Sequence, residues 1–199
     1  MNMDESKARS GSGSFYLQIF LVSLLGLSLL GNVLLGWKVK SINQDASIRS
    51  SYYAQSIIGT KIGQLNVINL SGEKTLISLA DRQPTILYIF RPHCKWCGLN
   101  LPEILSLNQQ RGSQFRFIGI STTADDLKPY LNKSPLPFPV YVASSPEEVA
   151  KLHVVGTPQT IEISRDGKVE QNWIGVYEHD TATSIEKQLQ VKLTSLALQ

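Results

Sequence analysis

Cysteine is almost missing from this 199-residue chain: there are two, and both stand in one motif, Cys94-Lys95-Trp96-Cys97. Two cysteines at that spacing give no structural disulfide framework, and they exclude a four-cysteine zinc site. Charge is sparse too, at 18% of residues, and the net +3 is scattered along the chain, which gives no basic surface for nucleic acid. No internal repeat is present, so the chain is not a solenoid or an array. No A-x-A site follows the apolar stretch near the start, which argues against a removed signal peptide.

That apolar stretch is the first feature the chain does have. Residues 15 to 37 are 23 positions without a formal charge, mostly Leu, Ile, Val and Gly. At helical rise they reach about 34 Å, enough for a hydrocarbon core of about 30 Å. Phe15 and Tyr16 at one end and Trp37 at the other stand where interfacial aromatics belong. An uncleaved transmembrane helix is expected. Lys7 and Arg9 before it are matched by Lys38 and Lys40 after it, so charge alone does not orient it. Residues 1–14, rich in Gly and Ser, read as a flexible tail. Residues 38–58 read as a linker or a helical stalk, with Val39, Ile42, Ala46 and Tyr53 at near-helical intervals.

A domain is expected over residues 59–199. Two apolar runs flank Ser71-Gly72-Glu73, the pattern of a β-hairpin. The run Thr85 to Phe90 reads as a strand, and a helix is predicted from Cys97 to about Gln110, ending at Gly112. Pro102 lies inside it, and Leu99, Ile104, Leu105 and Leu101 are expected on its core face. Strands near Phe115, Val140, Gln159 and Val169 alternate with short helices, one of them predicted over Ala124 to Leu131. A final amphipathic helix is predicted to carry Ile185, Leu189, Leu193 and Leu196. The alternation defines an α/β fold with a mixed sheet flanked by helices.

The cysteine motif lies between a strand and a helix start. A sulfur there meets unpaired backbone N–H groups and the positive end of the helix dipole, which favours thiolate over thiol. Cys94 is therefore read as the nucleophile, with Cys97 nearly one turn later as the resolving thiol. His93 and Lys95 flank it, and a positive charge there would lower the thiol pKa and favour the reduced form.

A strand ending in C-x-x-C, a helix containing proline, and Gly156-Thr157-Pro158 ahead of a hairpin with Asp166-Gly167 at its turn resemble the thioredoxin fold. The N-terminal hairpin, the Leu101-Pro102-Glu103 after the second cysteine and the single N-terminal transmembrane helix make the chain similar to membrane-anchored thiol-disulfide oxidoreductases of the TlpA/ResA type, over about residues 59 to 195. The resemblance implies that Pro158 follows a cis bond against the cysteines, and that Thr157, Pro158 and Trp96 meet the substrate. The chain departs from the family at three places. His93 stands where relatives commonly have Trp, Asn100 where many have a glutamate, and Tyr88 where a polar residue such as Asn is common. A carboxylate near the pair would assist proton transfer. Glu103 and Glu162 are the substitutes on offer, and both are expected at the surface.

The function expected is thiol-disulfide exchange with protein substrates through a mixed disulfide, using Cys94 and Cys97, with no cofactor beyond the redox-active disulfide and no metal. The resemblance implies a bacterial cytoplasmic membrane location with the domain on the periplasmic side, a membrane electron carrier that renews the dithiol, and a place in cytochrome c biogenesis. Two rivals are weighed. One is a copper-binding or copper-delivery module using His93, Cys94 and Cys97, for which related folds space their cysteines as C-x-x-x-C. The other is a peroxide reductase, which the C-x-x-C turn argues against.

Overall fold

The computed structural model describes residues 11–194. Of the tail expected over residues 1–14, the first ten lie outside the described residues, and 11–14 are already helical. The first helix, α1, runs unbroken over Gly11–Gln55, 45 residues. It therefore carries a helical backbone through residues 38–55 as well. Within it, Phe15–Ile42 has a mean hydropathy of 2.2 and is long and apolar enough to cross a membrane. Two of its polar side chains turn back on the helix: Ser23 Oγ donates to Ile19 O at 2.9 Å and Asn32 Nδ2 to Ser28 O at 3.0 Å. Such bonds satisfy polar groups where no water is at hand.

The chain divides between Arg49 and Ser50 into two compact units. The second starts earlier than residue 59, where the composition shifts. Ala54 and Ile57 are buried in it, and Asn172 Nδ2 donates to Ala54 O at 2.8 Å.

Seven strands form one sheet in that unit: β1 (Gln64–Ile68), β2 (Lys74–Ser78), β3 (Thr85–Phe90), β4 (Arg116–Ser121), β5 (Val140–Ala143), β6 (Gln159–Ile163) and β7 (Val169–Ile174). Their order is β2-β1-β5-β4-β3-β6-β7. The pairs β3/β4 and β4/β5 are parallel, and every other pair is antiparallel. The β1–β2 hairpin closes where Asn69 Oδ1 accepts from the N–H groups of Ser71 and Glu73, at 2.9 and 3.0 Å. Gly72 supplies the positive φ of 92° that this turn needs.

All six residues of β3 are buried, because apolar side chains cover the sheet on both faces there. Ile86, Tyr88 and Phe90 face Ile104 and Leu107 of α2 (Lys95–Arg111) and Ile185 and Leu189 of α5 (His179–Leu189). Leu87 and Ile89 face the other way, toward Ile57, Leu65, Leu152 and Ile161. Each fully buried aliphatic side chain stabilises the fold by about 1.5–3 kcal/mol.

Three local expectations are corrected. On α2 the inward stripe is Cys97, Asn100, Glu103, Ile104 and Leu107, while Leu99, Leu101 and Leu105 are only half-buried. Two polar residues occupy core positions, which apolar periodicity does not register. The last helix stops at Gln190, in the left-handed region at φ 54°, so Leu193 is buried outside it and Leu196 lies outside the described residues. The segment after it returns to α2, where Gln110 binds both the O (2.8 Å) and the N–H (3.1 Å) of Lys192. The short helix α3 (Leu127–Lys133) starts later than Ala124. Thr123 Oγ1 and Asp125 bond to each other there, which gives the backbone an alternative to helix.

Candidate active site

Strand β3 delivers the chain to a turn, and Cys94 closes that turn as the N-cap of α2, with an extended backbone (φ −82°, ψ 108°). Its sulfur accepts the Cys97 N–H at 3.1 Å. It thus does what a Ser or Asp oxygen does at most helix starts, and takes up one orphan donor of the first turn. A second loop, between α4 (Pro146–Lys151) and β6, reaches the same sulfur. The Cys94 thiol donates to Thr157 O at 3.3 Å, and the Thr157 hydroxyl lies 3.4 Å from Cys94 Sγ. The Thr157–Pro158 bond is cis. Two segments 63 residues apart in sequence therefore meet at one atom.

Both cysteines are in the thiol form, Cys94 half-buried and Cys97 fully buried. Partial burial pushes the Cys94 thiol up, but bonds from the Cys97 thiol, the Thr157 hydroxyl and the backbone N–H groups of Cys97 and Trp96 outweigh it, and its pKa falls below the ordinary value. Burial dominates at Cys97, whose thiol is pushed up to about 12 with the Cys94 interaction adding to it. The accessible sulfur is the one that ionises, and the hidden one keeps its proton.

The loop bearing Thr157 is held by Gln159, a fully buried side chain on β6. Its Nε2 donates to Leu152 O (3.3 Å) and His153 O (3.4 Å), and its Oε1 accepts from Val155 N at 3.3 Å. His153, at φ 47°, stacks on Tyr53 with ring centroids 4.6 Å apart.

His93 and Lys95, the candidates for tuning the Cys94 thiol, each meet another neighbour. His93 Nε2 lies 2.9 Å from Asp126 Oδ2, and Lys95 Nζ sits 5.5 Å over the Trp96 ring. The groups named as acting on Cys94 are hydrogen-bond donors of Cys97, Thr157 and Trp96. Asp126 is a site neighbour that sequence reasoning missed. Both it and His93 have positive φ, 53° and 59°, a conformation no local pattern announces. The copper reading needs His93 beside the two sulfurs. Among the described residues no group of three or more His, Cys, Asp or Glu side chains is placed to hold a metal.

Behind Cys97 the core is polar. Asn100 Oδ1 accepts Tyr177 N–H at 2.8 Å, and the hydroxyls of Tyr177 and Thr160 are 2.6 Å apart. Tyr88 sits opposite Thr160 on the neighbouring strand. Burial holds both tyrosine hydroxyls above their usual pKa, with the Cys97 sulfur adding to the effect on Tyr88.

Glu103 and Glu162, expected at the surface, are both buried. Glu103 Oε2 accepts Thr194 N–H at 3.0 Å, and Glu162 Oε2 accepts from Gln188 Nε2 at 2.9 Å. Burial raises both carboxyls, more than these bonds lower them. A carboxyl raised in this way binds its proton more tightly folded than unfolded, so stability falls as pH rises from the unfolded pKa through the folded one. Glu103→Gln keeps an acceptor for Thr194 and removes the charge. Its melting temperature should match the parent near pH 4 and exceed it at pH 7.5, and thermal melts showing the same difference at both pH values would contradict this.

No protein-family model matches the sequence, and a search of curated proteins finds no significant match. Solved structures do match. StoA from Bacillus subtilis is 18% identical, with a TM-score of 0.51 over 64% of this chain and 98% of that one. The thioredoxin domain of a thiol-disulfide oxidoreductase from Bacteroides vulgatus gives 18% identity and a TM-score of 0.53, over 66% and 97%. A thiol:disulfide interchange protein from a Bacteroides species gives 18% and 0.53, over 67% and 90%. The fold is thioredoxin-like, as the motifs imply.

Proposed function

We propose that the protein is a thiol-disulfide oxidoreductase tethered by Phe15–Ile42 to the bacterial cytoplasmic membrane, with its thioredoxin-like unit on the periplasmic side. The observation that carries the reading is the Cys94 sulfur, which caps a helix and meets Thr157 from a separate loop. Cys94 thiolate attacks a substrate disulfide, releasing one substrate sulfur as a thiol and joining Cys94 to the other. Cys97 then attacks Cys94, the second substrate sulfur leaves, and the substrate is reduced while the pair is oxidised. In the mixed disulfide Cys94 has no proton, so Thr157 O loses its donor and is free to accept a substrate N–H. Trp96, 49% exposed beside the nucleophile, supplies an apolar contact. Substrates are oxidised proteins such as apocytochrome c, which places the protein in cytochrome c biogenesis, and a membrane electron carrier returns the pair to dithiol. Structural neighbours that include a thiol-disulfide oxidoreductase domain and a thiol:disulfide interchange protein support the chemistry.

The test combines reactivity and sidedness. The reduced full-length chain in detergent micelles should reduce insulin disulfides, followed as turbidity. In intact spheroplasts a membrane-impermeant maleimide should label Cys94. No insulin reduction would end the chemical reading, and labelling only after lysis would reverse the topology.

A further inference from the structure

The last residues of α1 belong to the second unit, and there they meet the loop that carries Thr157. Tyr53 stacks its ring on that of His153, with centroids 4.6 Å apart and planes 10° from parallel. His153 Nδ1 lies 3.0 Å from Ser56 Oγ and 3.1 Å from Tyr53 O. A carbonyl oxygen only accepts, so Nδ1 carries the proton and donates to the end of the helix. That end is held in its turn. Ala54 is buried, Asn172 Nδ2 donates to Ala54 O at 2.8 Å, and Gln55 Nε2 donates to Asn172 O at 3.0 Å. His153 has a left-handed backbone, at φ 47°, which is uncommon outside glycine and persists where surrounding contacts hold it.

We propose that Tyr53 and His153 are positioning residues of the substrate-binding edge: the end of α1 clamps the loop through the His153 ring, and so keeps the Thr157 carbonyl in place for a substrate N–H. This rests on the exchange reading above. The loop has three holds. Gln159 reaches its backbone from β6, at Leu152, His153 and Val155. The His153 ring reaches Tyr53 and Ser56. The third is the bond from the Cys94 thiol to Thr157 O at 3.3 Å, and it is temporary. Once Cys94 is joined to a substrate sulfur it has no proton to give, so Thr157 O must stay in place on the other two. An edge already in place costs a bound polypeptide less ordering, which shows as affinity. The attack by Cys94 does not draw on the clamp in the same way, because the Cys97 N–H that caps its sulfur belongs to α2. On this account residues 53–56 are a working part of the exchange unit and not a passive linker.

Two oxidants separate binding at this edge from attack by the sulfur. Insulin offers backbone N–H groups beside its disulfides, whereas 5,5′-dithiobis(2-nitrobenzoate) has no peptide group. The full-length chain in detergent micelles turns over insulin with dithiothreitol as reductant, which gives KM and kcat. Single-turnover mixing of the reduced chain with the small oxidant gives the rate of the first thionitrobenzoate release. Tyr53→Ala should raise KM for insulin about fivefold, within the range of one hydrogen bond, and leave kcat and the first release within about twofold of the parent. Tyr53→Phe keeps the ring and should match the parent. His153→Asn suits a left-handed backbone but lacks the ring, and it should act as Tyr53→Ala does. Combining Tyr53→Ala with His153→Asn should do no more than either alone, since both remove one contact. An insulin KM within about twofold of the parent in both single variants, effects that add in the double variant, equal slowing with both oxidants, or a Tyr53→Phe as impaired as Tyr53→Ala would each overturn the proposal while the exchange reading stands. A parent chain that leaves insulin intact would sink both.

Discussion

Replacing Cys94 with serine should lower the rate of exchange with any disulfide by at least about a thousandfold, because a hydroxyl at neutral pH offers almost none of the anion that attacks sulfur. The geometry makes this a clean test. Cys94 is the N-cap of α2, its sulfur accepting a backbone N–H, and serine is among the best residues for that position. The variant should therefore fold with its helix start intact and fail only in chemistry. Cys97→Ser differs in kind: Cys94 still attacks, and the reaction stops at the mixed disulfide, visible as a covalent adduct that dithiothreitol removes. Stopped-flow exchange and mass spectrometry read the two results. Exchange by Cys94→Ser within tenfold of the parent would show that the nucleophile lies elsewhere.

The largest effect on stability is expected from Phe90→Ala. Phe90 ends β3, is fully buried, and has its ring centroid 5.5 Å from that of Tyr88 and 5.7 Å from that of Tyr130. A side chain at Gly119 would come within 3.3 Å of its ring, so the neighbouring strand approaches closely on that side. Emptying such a site costs about 3–5 kcal/mol. For a unit of this size that corresponds to a fall in melting temperature of about 10–15 °C. The loss falls at the base of the turn that presents Cys94, so exchange should slow as well. Thermal unfolding followed by circular dichroism checks it, and a shift under about 3 °C would mean the core closes over the gap.

What the sequence reveals follows the range of the forces involved. The cysteine pair and the strand Val140–Ala143 are written in local patterns, whereas the approach of Thr157 and Pro158 to Cys94 is what the family resemblance implies. The inward faces of Asn100 and Glu103 are not legible, because a polar residue enters the core only when distant partners satisfy it. Here those partners are Tyr177 and Thr194, 77 and 91 residues away. Asp126 is hidden for the same reason, since its meeting with His93 depends on two backbone turns 33 residues apart. His93 and Lys95 show the limit of sequence proximity from the other side. Proximity in sequence suggested they would act on the sulfur, whereas each turns to a different neighbour, the Asp126 carboxylate or the Trp96 ring.

One glutamine on β6 bears on how partners come and go. Gln159 ties down three backbone groups of the loop before it, at Leu152, His153 and Val155, so the approach to Thr157 is held from within the loop as well as by the Cys94 sulfur. A visiting polypeptide meets a rigid rail and loses little entropy to moulding it. On the exchange reading proposed above, the grip can then stay shallow and departure fast.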